Sequence, residues 1–321
     1  MLKRLCSPWL LLALVLLPPI APAQLTFQFN YTDAGVGFND PTIGAIRRGA
    51  FESAAGVLSG SIQTASPVTV TIAVSSFVAN NAFLATAGSD PVSLTPGFHP
   101  TVLQDKILSH GARDANGASP DATVFWNFFH NWDYDDAVGA GAYDYKSTVT
   151  HELMHALGFI SNIDAAGRGW NFATSGTPDA WSAFDRFVVA ADGTPLVNAA
   201  NHSFNTSLQA ALTGNPGAFF GGPNAVAANG GQLVPLYSPS PFESASSIHH
   251  LNDASFSHPD LLMESTVFTG PAPRGLSAVE AGILSDLGYS VSVVPEPGVN
   301  LLLLLGLAAF ARKRRLANCR G

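Results

Sequence analysis

Cysteine is almost absent from this chain of 321 residues. Cys6 and Cys319, one near each end, are the two cysteines of the sequence. The stretch between them therefore has no disulfide to stabilise it, although disulfides are common in exported proteins. Its fold must depend on a buried apolar core, for which roughly 270 residues are ample.

Basic side chains are also scarce. Seven of the 15 Lys and Arg residues lie close to the two ends, at positions 3, 4, 312–315 and 320. The chain between these ends has eight basic side chains against 23 acidic ones, which gives a net charge of −15. A surface this acidic repels phosphate groups, so nucleic acid is excluded as a natural partner.

The N-terminus has the pattern of a signal peptide. Two basic residues precede an apolar run from Trp9 to Leu17, and Ala21-Pro22-Ala23 follows as a small-residue cleavage site. The run is shorter than the roughly 20 residues that span a bilayer. We therefore predict a signal peptide over residues 1–23 and an exported protein, with an uncleaved anchor as the alternative.

The C-terminus has a second sorting pattern. Pro295-Glu296-Pro297 is followed by an apolar run from Leu301 to Phe310 and by four basic residues at 312–315. This order resembles the PEP-CTERM signal of Gram-negative bacteria, which an exosortase recognises at the membrane. The resemblance implies membrane attachment through residues 295–321 and release to the cell surface or matrix. A plain membrane anchor is the alternative.

Between residues 24 and 294, segments with the pattern of a strand alternate with segments with the pattern of a helix. Alternating or β-branched segments predict strands over residues 25–31, 68–74 and 122–132. Helical periodicity predicts helices over residues 43–58, 145–157 and 276–287. The buried face of the first helix is expected to hold Ile46, Ala50, Ala54, Val57 and Leu58. The pattern indicates an α/β lobe over about 24–158 and a loop-rich lobe over about 159–294.

One segment of the chain has the spacing of a metal-binding motif, His151-Glu152-Leu153-Met154-His155. His151 and His155 are four residues apart on the predicted helix, so both imidazoles face one side and can chelate one ion. Zinc is the expected ion, because it lowers the pKa of a bound water to about 7. Glu152 is adjacent and can act as general base. The motif favours a zinc metalloendopeptidase over two surface histidines.

A catalytic zinc takes three protein ligands, so this motif needs one more. In the simplest metzincin pattern a histidine stands three residues after Gly158, but Ser161 occupies that position. The remaining candidates are His202, His249, His250 and His258, or a carboxylate. The histidines at 99, 110 and 130 have no ligand spacing.

The order of motifs after Gly158 resembles the leishmanolysin family of metzincins. A long insertion is followed by Ser247-Ile248-His249-His250-Leu251, the pair Leu262-Met263, and a helix ending in Asp286-Leu287-Gly288-Tyr289. The resemblance implies His250 as the third ligand, with His249 as runner-up, and Met263 as the Met-turn residue. It also implies an α+β fold, with a twisted mixed sheet and the active-site helix in one lobe and a final helix in the other.

The same resemblance implies how a protein or peptide substrate would bind. In metzincins the strand before the motif helix often runs along the cleft and pairs with the substrate backbone. Segment 122–132 is expected to take that role by β-augmentation.

Calcium is a second candidate cation. Acidic and amide side chains cluster around segment 122–132, at Asn127, Asn131, Asp133, Asp135 and Asp136. Their spacing is not that of an EF-hand, so an Asx-rich turn is the preferred interpretation.

Two alternatives to the interpretation as a metzincin stay open. A gluzincin-like peptidase would take its third ligand from Glu280 on the last predicted helix, although Gly158 and the spacing of His250 and Met263 favour a metzincin. A surface or matrix adhesion protein with a structural or decayed zinc site fits the sorting tail. An intact Glu152 argues against it, because a structural zinc does not need a base.

Overall fold

The computed structural model describes residues 23–255 and 261–292. Residues 1–22 of the predicted signal peptide, His258 and the predicted sorting tail lie outside these ranges. Across the two ranges, no helix combines the length and apolar character needed to cross a bilayer.

Short strands outnumber helices in the described chain. The strands are β1 (Ala23–Tyr31), β2 (Ile62–Thr64), β3 (Val68–Phe77), β4 (Ala85–Gly88), β5 (Gly97–His99), β6 (Ala122–Asn127), β7 (Trp132–Asp133), β8 (Tyr143–Asp144), β9 (Ala180–Ser182), β10 (Val188–Ala190), β11 (Ala218–Phe220), β12 (Val234–Pro235) and β13 (Ser290–Val291). The α-helices are α1 (Gly44–Ser61), α2 (Val102–Leu108), α3 (Tyr145–Ala156), α4 (Pro223–Ala228) and α5 (Ala278–Asp286).

Six of these strands form a mixed sheet in the order β13-β2-β1-β3-β6-β4. β1, β3 and β6 run parallel, and β4 closes one edge antiparallel to β6. Alternate residues of β3 are buried, as its β-branched pattern predicts. The mixed architecture is compatible with the predicted α+β class.

The prediction that segment 122–132 forms the free edge of a cleft is wrong. β6 ends at Asn127 and lies between β3 and β4, so both of its backbone edges are paired. The edge strand is β4, in which Thr86 pairs with Phe125. β4 contains two alanines, a threonine and a glycine, so little in its sequence indicates a strand.

Helix α1 buries three of the five residues that its periodicity assigns to the core, Ala50, Ala54 and Leu58, but its face is rotated towards Phe51. Phe51 is fully buried and meets Phe38 and Trp126 edge to face, at ring-centroid distances of 5.7 and 6.0 Å. Ile46 and Val57, assigned to the buried face, are 57% and 51% exposed. The phenylalanine ring has the larger apolar area, so its burial decides the rotation of the helix.

The C-terminal half contains short elements and long loops. β10, β11 and β12 form an antiparallel sheet. α4 and α5 approach closely at Gly282, where an added Cβ would lie 2.8 Å from the Cα of Ala225. One buried apolar cluster extends from β1 to α5, so both predicted lobes share a core. The lobe boundary near residue 158 stays a prediction.

Candidate metal centre

Helix α3 presents two histidines to the same side. Asp144 caps its N-terminus by accepting a hydrogen bond from a backbone N–H of the first turn. His151 and His155 lie one turn apart, both are buried, and their ring centroids are 4.9 Å apart. Just past the helix end, Gly158 has a φ of +95°, a conformation that favours glycine.

Replacing Gly158 by alanine is expected to destabilise the fold by about 1–3 kcal/mol. An added Cβ would lie 3.0 Å from Gln104 Oε1, and the positive φ would strain the new residue. Urea denaturation measures the change. Gly56→Ala is the matched control, because Gly56 is exposed within α1 with open space around an added Cβ. Gly56→Ala should raise the free energy of unfolding by roughly 1 kcal/mol. Equal effects of the two substitutions would contradict the need for glycine at position 158.

A third histidine reaches the first two from a loop after β12. His250 Nε2 lies 3.2 Å from His151 Nε2 and 3.2 Å from His155 Nε2. In the described part of the chain, these three side chains form the group whose ligand atoms lie close enough to share one metal ion. The structure thus brings together two histidines of one helix and a third that lies 95 residues further along the chain.

A backbone carbonyl orients each of these imidazoles. The Nδ1 contacts are to Leu262 O for His151 at 2.7 Å, to Phe159 O for His155 at 2.8 Å, and to Ser246 O for His250 at 2.9 Å. A carbonyl oxygen can only accept, so each Nδ1 must carry the proton. Each Nε2 therefore directs a lone pair towards the other two, which is the tautomer of a metal-binding histidine.

The spacing of the nitrogens fits a metal ion. Because each Nε2 is an acceptor, the two separations of 3.2 Å are not hydrogen bonds. Nitrogen ligands about 2.1 Å from a tetrahedral ion are about 3.4 Å from one another, which is close to the observed separation. The donor set of three imidazoles suits a divalent transition metal.

Burial lowers the pKa of all three imidazoles. Burial, reinforced by the neighbouring His250, lowers the pKa of His151 to about 3. Burial likewise lowers the pKa of His250 to about 4 and that of His155 well below its usual value. The three rings are therefore neutral at pH 7, which is the form that binds a metal.

Without metal, the protein is expected to lose stability as the pH falls from about 6.5 towards 4. The unfolded histidines take up protons in this range and the folded ones do not, so acid favours the unfolded state. Each histidine contributes about 1.4 kcal/mol per pH unit, and Glu152, whose pKa is raised to about 8, contributes the same amount with the opposite sign. The measurement is urea denaturation of chelator-treated protein at several pH values, which gives the change in the free energy of unfolding with pH.

Two histidine variants test whether the buried histidines cause this dependence of the free energy of unfolding on pH. His250→Asn should remove about a quarter of the histidine contribution, because His249 is a fourth histidine whose pKa is lowered by burial. His110→Asn replaces an exposed histidine and should leave it unchanged. Equal pH dependence of the unfolding midpoint in His250→Asn and in the parent would contradict the burial of the triad.

Glu152 lies beside the triad. Its carboxylate accepts a hydrogen bond from the backbone N–H of Ala87 in β4, and burial raises its pKa to about 8 despite that bond. Its Oε2 atom is buried and has no hydrogen-bond partner among the described residues. A buried carboxylate oxygen left open beside three converging nitrogens fits a bound cation, which would favour the ionised carboxylate.

The triad and Glu152 line a cleft of about 500 Å³. Residues 82–87, which include the first three residues of the edge strand β4, form part of the lining, together with residues 243–246 and 265–267. The site therefore adjoins a strand whose outer edge has no neighbouring strand in the described structure.

The alternative third ligands lie elsewhere. His249 lines the cleft but is not part of the triad. His202 packs edge to face against Phe98, with the ring centroids 5.7 Å apart. Glu280 is buried and accepts the N–H of Met263 at 2.8 Å, so its carboxylate is not placed to bind the ion.

Ser161 and Met263 also have defined surroundings. Ser161, at the position of the simplest metzincin ligand, is fully buried and donates to Asp185 at 2.6 Å. The chain after Gly158 thus enters the core. Met263, the expected Met-turn residue, is fully buried and directly follows Leu262, whose carbonyl orients His151.

The Asx-rich segment forms turns and ion pairs. Asp133 accepts N–H groups of its own turn, at Asp135 and Gly139. Asp136 pairs with Lys146 at 2.6 Å and with Arg274 at 2.8 Å. These carboxylates are directed at local donors, and the described residues of the segment form no group of three converging ligands.

Sequence reasoning missed one residue that supports the site, Ala87, and gave another, Glu280, a different role as an alternative ligand. Ala87 holds Glu152, but the short strand that contains it has no sequence signal. Glu280 holds the Leu262–Met263 turn. Its position three residues after Ser277 is a capping-box pattern that is visible in the sequence.

Comparison with known proteins does not assign this chain to a family. No protein-family model matches the chain. A search of the curated proteins found no significantly similar sequence. The functional conclusion therefore depends on the residues of the site.

Proposed function

We propose that this protein is a zinc-dependent endopeptidase of the metzincin type, similar to the leishmanolysin family. The observation that carries the proposal is the convergence of three buried Nε2 lone pairs beside a carboxylate with an open oxygen, all on one cleft. A structural zinc has four protein ligands and needs no base. The site therefore favours an enzyme over an adhesion protein.

Zinc is the ion proposed for the triad, and its ligands would be His151, His155 and His250. When bound, zinc lowers the pKa of a coordinated water to about 7 and polarises a carbonyl group. The protein would supply the proton transfers. Glu152 would accept a proton from the attacking water through Oε2 and pass it to the departing amine nitrogen. The water oxygen becomes part of the new carboxyl group as the peptide C–N bond breaks.

The proposed substrate is an extended segment of a protein. The outer edge of β4 can pair with such a segment as one more strand of the sheet. Pairing at this edge would bring a peptide bond beside Glu152, because the backbone of Ala87 in the same strand contacts the Glu152 carboxylate.

The proposal includes export. The signal peptide at residues 1–23 would direct the chain across the inner membrane. The tail at residues 295–321 would attach it there until machinery of the exosortase type processes it. Both segments are assigned from their sequence patterns.

The test is metal analysis combined with cleavage of casein, an unstructured protein substrate. We expect one zinc per chain, loss of casein cleavage on chelation, and recovery when zinc is restored. Cleavage that survives complete removal of metal would contradict the proposed mechanism, and a protein that binds no zinc would refute the metal site.

A further inference from the structure

Glu280 is a buried carboxylate that the proposed reaction does not use. It is fully buried, and burial raises its pKa. The side chain accepts the N–H of Met263 through Oε1 and the N–H of Ser277 through Oε2, each at 2.8 Å. A helix cap can be formed by an exposed side chain, so the cap alone does not explain why this carboxylate is buried.

The first of these contacts leads directly to a proposed metal ligand. The N–H of Met263 and the C=O of Leu262 belong to the same peptide group. That carbonyl accepts the Nδ1–H of His151 at 2.7 Å, the shortest of the three histidine-to-carbonyl contacts. A continuous chain of hydrogen bonds thus runs from the carboxylate through one peptide group to the imidazole.

The next carbonyl of the same turn connects to the third ligand. Met263 O accepts the backbone N–H of Leu251 at 2.7 Å, and Leu251 directly follows His250. Glu280 therefore holds the turn that orients His151 and anchors the segment of His250.

We propose that Glu280 is a positioning residue for the metal centre, which acts on His151 through the Leu262–Met263 peptide group. Hydrogen bonds in a chain polarise one another. A carboxylate at the N–H end makes the carbonyl a stronger acceptor, and the imidazole becomes a stronger ligand. Metal-binding histidines often contact a carboxylate directly; here a peptide group stands between them. The inference rests on the proposed metal centre.

The first test compares Glu280→Gln with Ser277→Ala. Glutamine removes the charge and turns an N–H₂ group towards one of the two backbone donors. Ser277→Ala weakens the same helix cap and leaves the Glu280 to Met263 contact in place. Zinc affinity is expected to fall about 10- to 100-fold in Glu280→Gln and to stay within about twofold in Ser277→Ala.

The visible absorption spectrum of cobalt-substituted protein gives a second readout. A changed ligand field should shift the cobalt bands in Glu280→Gln and leave them unchanged in Ser277→Ala. Equal zinc affinity of Glu280→Gln and the parent would overturn the inference, as would equal losses in both variants. A parent protein that binds no metal would refute the metal centre itself, which is a separate result.

A measurement on the unaltered protein covers the case in which Glu280→Gln does not fold. In the zinc-loaded parent, NMR reports the Nδ1–H proton of each ligand histidine. The His151 proton should be the most deshielded of the three, because its acceptor is the carbonyl whose peptide N–H is bound to a carboxylate. If the Nδ1–H chemical shift of His151 were no greater than those of His155 and His250, the inference would be overturned.

Discussion

Replacing Glu152 by glutamine is expected to remove nearly all peptide cleavage while zinc stays bound. Glutamine keeps the size of the side chain and can still accept from the Ala87 N–H, but it cannot take a proton from water. Losing a general base costs about 10²–10⁴ in rate. The measurement is kcat for an internally quenched peptide, with zinc content determined on the same samples.

Glu52→Gln is the matched control for this variant. Glu52 is exposed on α1, and its contact is a hydrogen bond from the Tyr31 hydroxyl at 3.1 Å, which glutamine can also accept. The control should cleave the peptide at the parental rate. Full activity in Glu152→Gln would refute Glu152 as the base, whereas loss of both zinc and activity would assign it a structural role.

Replacing His250 by alanine is expected to remove the metal. The triad would keep two imidazoles of one helix, and the loss of one ligand should weaken zinc binding on the order of 10³-fold. Cleavage should disappear with the metal. Zinc content after dialysis and competition with a chromophoric chelator measure the change in affinity.

His249→Ala tests the choice between neighbouring histidines. His249 is not one of the three converging side chains, so its removal should leave zinc content at one per chain. The opposite pattern, with zinc lost in His249→Ala and kept in His250→Ala, would show that the ligand assignment is wrong. His202→Ala should also retain zinc, because its ring packs against Phe98.

Backbone hydrogen bonds to Tyr237 hold the loop that contains His250. Tyr237 donates its N–H to His250 O at 2.9 Å and accepts the N–H of Ile248 at 2.7 Å. Ile248 has a φ of +65°, which is rare for a β-branched residue. This strained position immediately before the two histidines helps decide which of them turns towards α3, an outcome that no helical spacing could predict.

The sequence by itself determined the features that depend on local periodicity. The strands β1 and β3 and the helices α1, α3 and α5 follow from alternation or helical spacing, and the structure confirms them. The pairing of His151 with His155 is local too, since residues four apart always share one face of a helix. Glu152 as base candidate follows from the same helix.

Only the tertiary structure decided the features that depend on contacts between distant segments. These are the free edge at β4, the choice of His250 over the runner-up His249 as partner of His151 and His155, and the link from Glu280 to His151. Each requires segments far apart in the chain to meet within about 3 Å. Such contacts arise from packing of the whole core, so no short stretch of sequence contains enough information to specify them.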